Sequence, residues 1–218
     1  PNAQIDLTLY YMDYKNQLVP TGKLTETGYV VKENVPSSYR TGVELAAGWQ
    51  PIRFLRFEGN FCMSQNRIKE YTAWVDHYSN PQDWAPLPQL QERYQNVPLA
   101  YSPEYTSAMQ VEARPWKETT IALRYKYVGK QYYDNTGNNA RSLPAYGTGG
   151  LRCVQQLSFN NGPKATVSFF VDNLFNKKYI DNAWVYRAAF ADSSPDYLET
   201  GLFPQAEINF TLSLSLKF

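Results

Sequence analysis

The C-terminal stretch Ile208-Asn209-Phe210-Thr211-Leu212-Ser213-Leu214-Ser215-Leu216-Lys217-Phe218 decides the fold. Ile208, Phe210, Leu212, Leu214, Leu216 and Phe218 take alternate positions, with Asn209, Thr211, Ser213, Ser215 and Lys217 between them. Side chains alternate across a strand, so the segment has one apolar and one polar face. Strands in soluble proteins average about five or six residues. A tilted strand crossing a bilayer needs about 9–11. Unbroken alternation from Ile208 to Phe218 fits the second length. A long strand of a soluble sandwich is the competing reading.

Seven other segments point the same way. Ile5, Leu7, Leu9 and Tyr11 alternate with Asp6, Thr8, Tyr10 and Met12. Tyr39 to Trp49, Leu55 to Met63, Tyr105 to Ala113 and Ile121 to Tyr127 each keep apolar residues on odd numbers. Val167, Phe169 and Val171 mark a seventh strand, and a Gly- and Gln-rich sixth lies near Tyr146 to Phe159. The expected fold is all-β, a transmembrane antiparallel barrel wall of eight strands.

The polar faces carry Arg40, Glu44, Arg56, Glu58, Glu112, Arg114 and Arg124. Buried without partners, each charge would cost several kcal/mol; facing water or another polar body, they are stable. Tyr39 and Trp49 stand ten residues apart, roughly 33 Å along a strand and about 25 Å along a tilted membrane normal. That is the spacing of two interfacial aromatic girdles; Tyr105, Tyr127, Trp116 and Phe218 also fall near strand ends. Short turns are expected at Gln50-Pro51-Ile52, Pro115 to Glu118 and Asn160 to Pro163, alternating with long connections near residues 16–38, 67–103, 132–144 and 177–203. Counted back from a periplasmic C-terminus, every short turn falls on the periplasmic side, as in outer-membrane barrels.

Composition removes several alternatives. The 218 residues carry a net charge of +1, which offers nothing to attract nucleic acid. Mean hydropathy is −0.51, and no apolar run approaches the roughly 18–20 residues of a membrane helix. His77 has no nearby Cys or His, so neither a metal nor a cofactor is expected. Strand parity puts Cys62 inside and Cys153 outside, which argues against a disulfide. No nucleophile–base or paired-acid arrangement suggests an enzyme.

Val171-Asp172-Asn173-Leu174-Phe175-Asn176-Lys177-Lys178-Tyr179 resembles the penultimate-strand motif of TonB-dependent outer-membrane receptors, with Asn176 where an Asp is common. Asn182-Ala183-Trp184-Val185-Tyr186-Arg187, Gly201-Leu202-Phe203-Pro204-Gln205-Ala206 and Asn34 to Glu44 are similar to receptors of the Bacteroidetes type. The resemblance implies that residues 1–218 form the last eight strands of a 22-stranded barrel, the C-terminal piece of a longer protein. It further implies the outer membrane of a Gram-negative bacterium and import of an iron chelate, haem or cobalamin, energised through TonB. Implied partners are membrane lipid, a plug domain and the remaining strands, the TonB complex, the barrel-assembly machinery and a surface lipoprotein. Phe210, Leu212, Leu214, Leu216 and Phe218 would form the assembly signal.

Aromatic residues mixed with a few polar groups suit capture of an organic ligand. On that ground Trp74, His77, Trp84, Tyr94 and Tyr101 in one long connection, and Trp184, Tyr186 and Arg187 in another, are the candidate ligand contacts. Packing of the connections against each other is the competing role for the same side chains. Two other functions stay open: a closed eight-stranded structural or adhesive barrel, and a soluble carbohydrate-binding sandwich.

Overall fold

The computed structural model describes residues 2–159 and 163–217. Pro1, Phe218 and residues 160–162, where a short turn was expected, lie outside the described residues. The strands are β1 (Asn2–Leu24), β2 (Val30–Ile52), β3 (Leu55–Tyr78), β4 (Pro86–Pro98), β5 (Tyr105–Ala113), β6 (Thr119–Val128) and β7 (Gln131–Tyr132). They continue with β8 (Ser142–Leu143), β9 (Tyr146–Ser158), β10 (Lys164–Asp172), β11 (Ile180–Phe190), β12 (Tyr197–Pro204) and β13 (Asn209–Lys217).

Eight of them form one antiparallel wall in the order β1-β2-β3-β5-β6-β9-β10-β13. These are the eight strands expected from alternation, each paired with its neighbours. Register lines up the apolar residues across the wall: Leu7 pairs with Leu45, Leu45 with Phe61, Val111 with Leu123 and Leu123 with Leu151. Phe169 then meets Leu212 at the far edge. A one-residue slip would turn this whole row inward. Leu7 is 64% exposed and Leu212 74%, so no second sheet covers this face among the described residues, and the sandwich reading fails.

Aromatic pairs mark both margins of the apolar face. Tyr11 stacks on Tyr39 at one end, with Phe61 against Tyr105; Trp49 stacks on Phe57 at the other. Cys62 pairs with Glu44 and Thr106 on the polar face, Cys153 with Ile121 and Phe169 on the apolar face, and both are free.

The connections differ from expectation. Residues 50–52 are still strand, with a register irregularity between Trp49 and Ile52, and the turn itself is Arg53-Phe54. The segments expected as long loops are mostly hairpins. β1 and β2 each run 23 residues and β3 runs 24, so at about 3.4 Å per residue they reach far past the apolar band. β4 pairs with β3, and β11 pairs with β12 and, in parallel, with the end of β3. The hidden signal is a change of parity. Along β1 the inward residues are the half-buried Tyr10 and Tyr14, but beyond Asn16 they are the half-buried Gln17 and the buried Val19 and Thr21. β3 changes from Ser64 and Ile68 to Tyr71 and Val75, opposite a change in β4 around Asn96. Asn16 and Asn96 both have positive φ, 55° and 50°, a conformation asparagine tolerates better than most residues.

Above the switch lies the packed core. Val19, Val35, Ile68, Tyr71, Val97 and Leu99 form one buried cluster. Tyr133, Leu143, Ala183 and Val185 form a second. The hairpins and the segment between β6 and β9 thus make a cap on the long-hairpin end of the wall.

Candidate functional site

Two concave regions lie on the inner side. The first is the polar face of the wall, a trough of about 830 Å³ whose lining includes Asp6, Arg56, Glu58, Arg124, Lys126 and Asp172. The residues expected to face the lumen all lie on this face or at its end. Arg56 pairs with Glu58 along β3, and Arg114, just past β5, pairs with Glu112 at 2.9 Å. Glu44 stands opposite Thr8 and Cys62. Arg124 neighbours Gln110 and Gly150. The Arg40 guanidinium lies 5.9 Å from the Tyr14 ring centroid, and its buried Nε has no hydrogen-bond partner among the described residues.

The second is a cavity of about 400 Å³ inside the cap. β1 and β2 supply Lys23 and Glu33, β3 supplies Tyr71 and Trp74, and Arg141 and Arg187 come from the β7–β8 segment and β11. Most of its charges are committed to each other. Asp134 is nearly fully buried and pairs with Arg141 at 2.9 Å. Arg187 donates to both oxygens of Glu92, at 2.7 and 2.8 Å, and to Asp196 at 2.6 Å. Hydrogen bonding to Arg187 holds the Glu92 carboxyl below the usual carboxylate range. Glu33 is different: burial pushes its carboxyl up, and Oε1 is buried with no partner among the described residues. The adjoining Tyr71 hydroxyl is likewise pushed up, first by burial and then by Glu33. Lys23 spends one N–H on the Trp74 carbonyl at 2.7 Å.

The aromatic residues singled out in the sequence fall into two groups. Trp74 and Arg187 line the cavity, and Tyr94 borders an adjoining hollow with Glu92 and Arg187. The others hold the cap together. Trp84, at the β3–β4 tip, lies edge-on to Tyr78, Phe190 and Tyr197 at 5.0, 5.0 and 5.3 Å. Tyr101 donates to the Ala183 carbonyl, Trp184 covers Gly201, and the Tyr186 hydroxyl meets that of Tyr78 at 3.2 Å. His77 sits in the parallel pairing of β3 with β11, opposite Ala189.

Lys23, Glu33, Tyr71, Asp134, Asn135 and Arg141 were not singled out in the sequence. Asn135 is fully buried, accepting from the Ala100 amide at 2.8 Å and donating to the Pro20 carbonyl at 2.7 Å. It thereby stitches the β6–β9 segment to β1 and to the end of β4's connection. No motif marks such residues; they sit in polar runs that read as surface.

The motif at Val171 to Tyr179 has a structural role. Asn173 is buried with φ 52°, donates to the Lys177 and Ala206 carbonyls, and accepts from the Lys177 amide. Asn176, φ 50°, accepts from the Ile208 amide at 2.9 Å and so leads the chain into β13. Phe175 covers Gly149 on the apolar face, edge-on to Tyr125.

A sequence profile described as TonB dependent receptor-like, beta-barrel, matches residues 1–174. No curated protein matches the chain in sequence. Among solved structures, the ferric-catecholate import receptor Fiu of E. coli K12 superposes with a TM-score of 0.60 at 13% identity, over 99% of this chain and 25% of that one. The copper transporter OprC gives 0.62 at 15% identity, over 100% and 28%. The ferric yersiniabactin uptake receptor FyuA of Yersinia pestis gives 0.58 at 17%, over 100% and 28%. The chain therefore spans about a quarter of the length of these solved proteins. These neighbours are receptors and transporters rather than enzymes. The chain belongs to the TonB-dependent receptor β-barrel family, and its wall lies in the outer membrane of a Gram-negative bacterium.

Proposed function

We propose that this chain is the last eight strands of a 22-stranded receptor that imports a scarce ligand, energised through TonB. The observation that carries the reading is an open wall with a charge-lined concave face beneath a packed outer cap. β1 pairs only with β2, and β13 only with β10, among the described residues. An unpaired strand edge is not tolerated in lipid, because its N–H and C=O groups find no partner there. The open edges support further strands that complete the barrel, and weigh against an eight-stranded structural or adhesive one. A barrel of that size has a lumen wide enough for a plug, and ion pairs such as Arg114–Glu112 suit a wet or plug-contacting surface.

The solved neighbours named above take up iron chelates or copper, and an iron chelate is the favoured cargo, ahead of haem and cobalamin. The Bacteroidetes-type reading rests on the resemblance of stretches that now lie in β2, β11 and β12. By the same resemblance β13 is the strand read by the barrel-assembly machinery, and a surface lipoprotein is a further partner. The test is uptake by cells carrying the full receptor gene, with and without TonB. Growth under iron limitation should depend on both. Equal growth after loss of either one removes iron-chelate import, and a requirement for added cobalamin or haem instead reassigns the cargo.

A further inference from the structure

The lipid face of the wall is not uniform at its outer margin. Register sets Leu9 beside Val43, Val43 beside Met63 and Met63 beside Tyr105 in one outward row. The next row toward the cap is Tyr11, Thr41 and Gln65. The β2 members of both rows, Thr41 and Val43, are short and half-buried, whereas Leu9, Tyr11, Met63 and Tyr105 on either side are long and exposed. The result is a furrow of about 610 Å³ with β2 as its floor. Behind it the wall is closed, because the Tyr10 ring covers Gly42 on the lumen side.

Charge gathers at the outer end of this furrow. The row beyond Thr41 is Asp13, Tyr39 and Arg67, and the row after that sets Lys15 beside Ser37. Lys69 joins them through Asp13 at 2.7 Å, and Arg67 meets Glu104 at 3.2 Å. Lys15, Arg67 and Lys69 thus stand against only Asp13 and Glu104, and Lys15 has no ion-pair partner among the described residues. Arg67 and Lys69 keep further N–H groups to give, since a guanidinium carries five and an ammonium three.

The two features are spaced as the two parts of a lipid. Successive outward residues lie about 7 Å apart along a strand, so the cations begin roughly 7–14 Å beyond Thr41. That is the level of Tyr11 and Tyr39, the aromatic pair at the membrane margin. Long cationic side chains can lay their stems on apolar surface there and keep their heads among the headgroups. The anions at that depth are lipid phosphates, and each Lys or Arg beside them is worth about fivefold in affinity.

We propose that the furrow is a seat for one phosphate-bearing lipid of the outer leaflet. An acyl chain lies over Thr41 and Val43, between Tyr11 and Tyr105, and the headgroup phosphate accepts from Lys15 and Arg67. The seat needs only the membrane wall; neither cargo nor TonB enters it.

The test is native mass spectrometry of the full receptor in detergent, stripped of lipid and titrated with lipid A or with lipid A freed of its phosphates. Saturable retention of one lipid A is expected, with the phosphate-free form at least about tenfold weaker. Lys15→Met together with Arg67→Met should weaken lipid A at least about tenfold, and Lys15→Arg with Arg67→Lys should restore it to within about threefold. Thr41→Trp fills the furrow without touching a charge and should also displace the lipid. Lys117→Met, in the turn at the opposite end of the wall, should change nothing. Equal retention of both forms of lipid A overturns the seat, as does indifference to Lys15→Met with Arg67→Met or to Thr41→Trp. No retention at all overturns it too, and so does a receptor dimer that lipid A leaves intact and Thr41→Trp abolishes, which would give the furrow to a second copy. Both forms of lipid A are compared on the native receptor, so that arm decides whether or not a variant folds.

Discussion

The wall and the cap are made from the same strands yet obey opposite rules. In the wall, β1 to β3 put their apolar residues outward and their charges inward; Leu7 and Leu45 face out while Asp6, Arg56 and Glu58 face the trough. In the cap, the same three strands turn apolar residues inward, and Val19, Val35 and Ile68 are almost wholly buried. The solvent explains the inversion. Lipid is as apolar as a protein core, so the wall needs no packed interior there; above the membrane, water drives apolar side chains together. The comparison predicts that one kind of substitution should have different consequences in the two regions.

The largest effect is expected at Ile68, fully buried in the cap cluster. Ile68→Ala should cost about 2–5 kcal/mol. Because the loss falls on the cap, hydrogen exchange should rise for Val19, Val35 and Val97 and stay slow in β5 and β6. Uniform acceleration would mean that wall and cap are one cooperative unit. Next comes a charge on the lipid face: Leu123→Arg, flanked by Val111 and Leu151, should cost about 2–4 kcal/mol. Asn60→Arg on the inner face, flanked by Ala46 and Ala108, should stay within about 0.5 kcal/mol. Denaturant unfolding in detergent or lipid measures both, and equal costs would invalidate the assignment of faces.

This asymmetry also explains what could be read from the sequence. The wall follows a period-two rule with one solvent on each side, so Leu212, Leu214 and Leu216 disclose their face without any structure. The cap breaks that rule twice. Its parity changes at Asn16 and Asn96, and its hairpins bury themselves against each other rather than against lipid, so no face stays apolar for long. Residues 16–38 and 67–103 therefore read as loops although they are mainly strand. The same cause hid the cavity: Glu33 and Asn135 lie in polar stretches, and only the tertiary fold buries them. The aromatic residues were legible as important, but composition cannot separate Trp84, which packs between hairpins, from Trp74, which lines the cavity.

The β11–β12 hairpin joins the cap by a contact that can be loosened selectively. Arg187 spans Glu92 on β4 and Asp196, beside the parallel pairing of Ala188 to Phe190 with β3. Arg187→Met should raise the exchange of those residues by an amount corresponding to about 1.5–3 kcal/mol, the usual range for charged hydrogen bonds. Acid should act on the same contact. The Glu92 carboxyl is held below its ordinary range by Arg187, so its contribution is complete above that range and fades as pH falls through the lowered value. Exchange measured from pH 6 downward should show docking weaken only below the ordinary carboxylate range. In Arg187→Met that acid dependence should disappear; its persistence would place the titrating group elsewhere.

The smallest expected effect tests the border itself. Asn16 sits between the pairs Lys15–Ser37 and Gln17–Val35, and Asn96 between Val97–Ile68 and Gln95–Glu70. If their left-handed backbone makes the change of parity, alanine at either position must carry the left-handed penalty, about 1–2 kcal/mol. Glycine populates positive φ freely and should be close to neutral there. The signature is thus an ordering, with glycine matching asparagine and alanine below both, read from the unfolding midpoint of the receptor and from exchange at Val19 and Val97. Side-chain contacts alone would give a different order. Asn96 accepts from the Tyr39 hydroxyl at 3.4 Å, a long contact that glycine and alanine remove equally. Equal losses in Asn96→Gly and Asn96→Ala would then assign the role to the side chain and leave the inversion between wall and cap without its hinge.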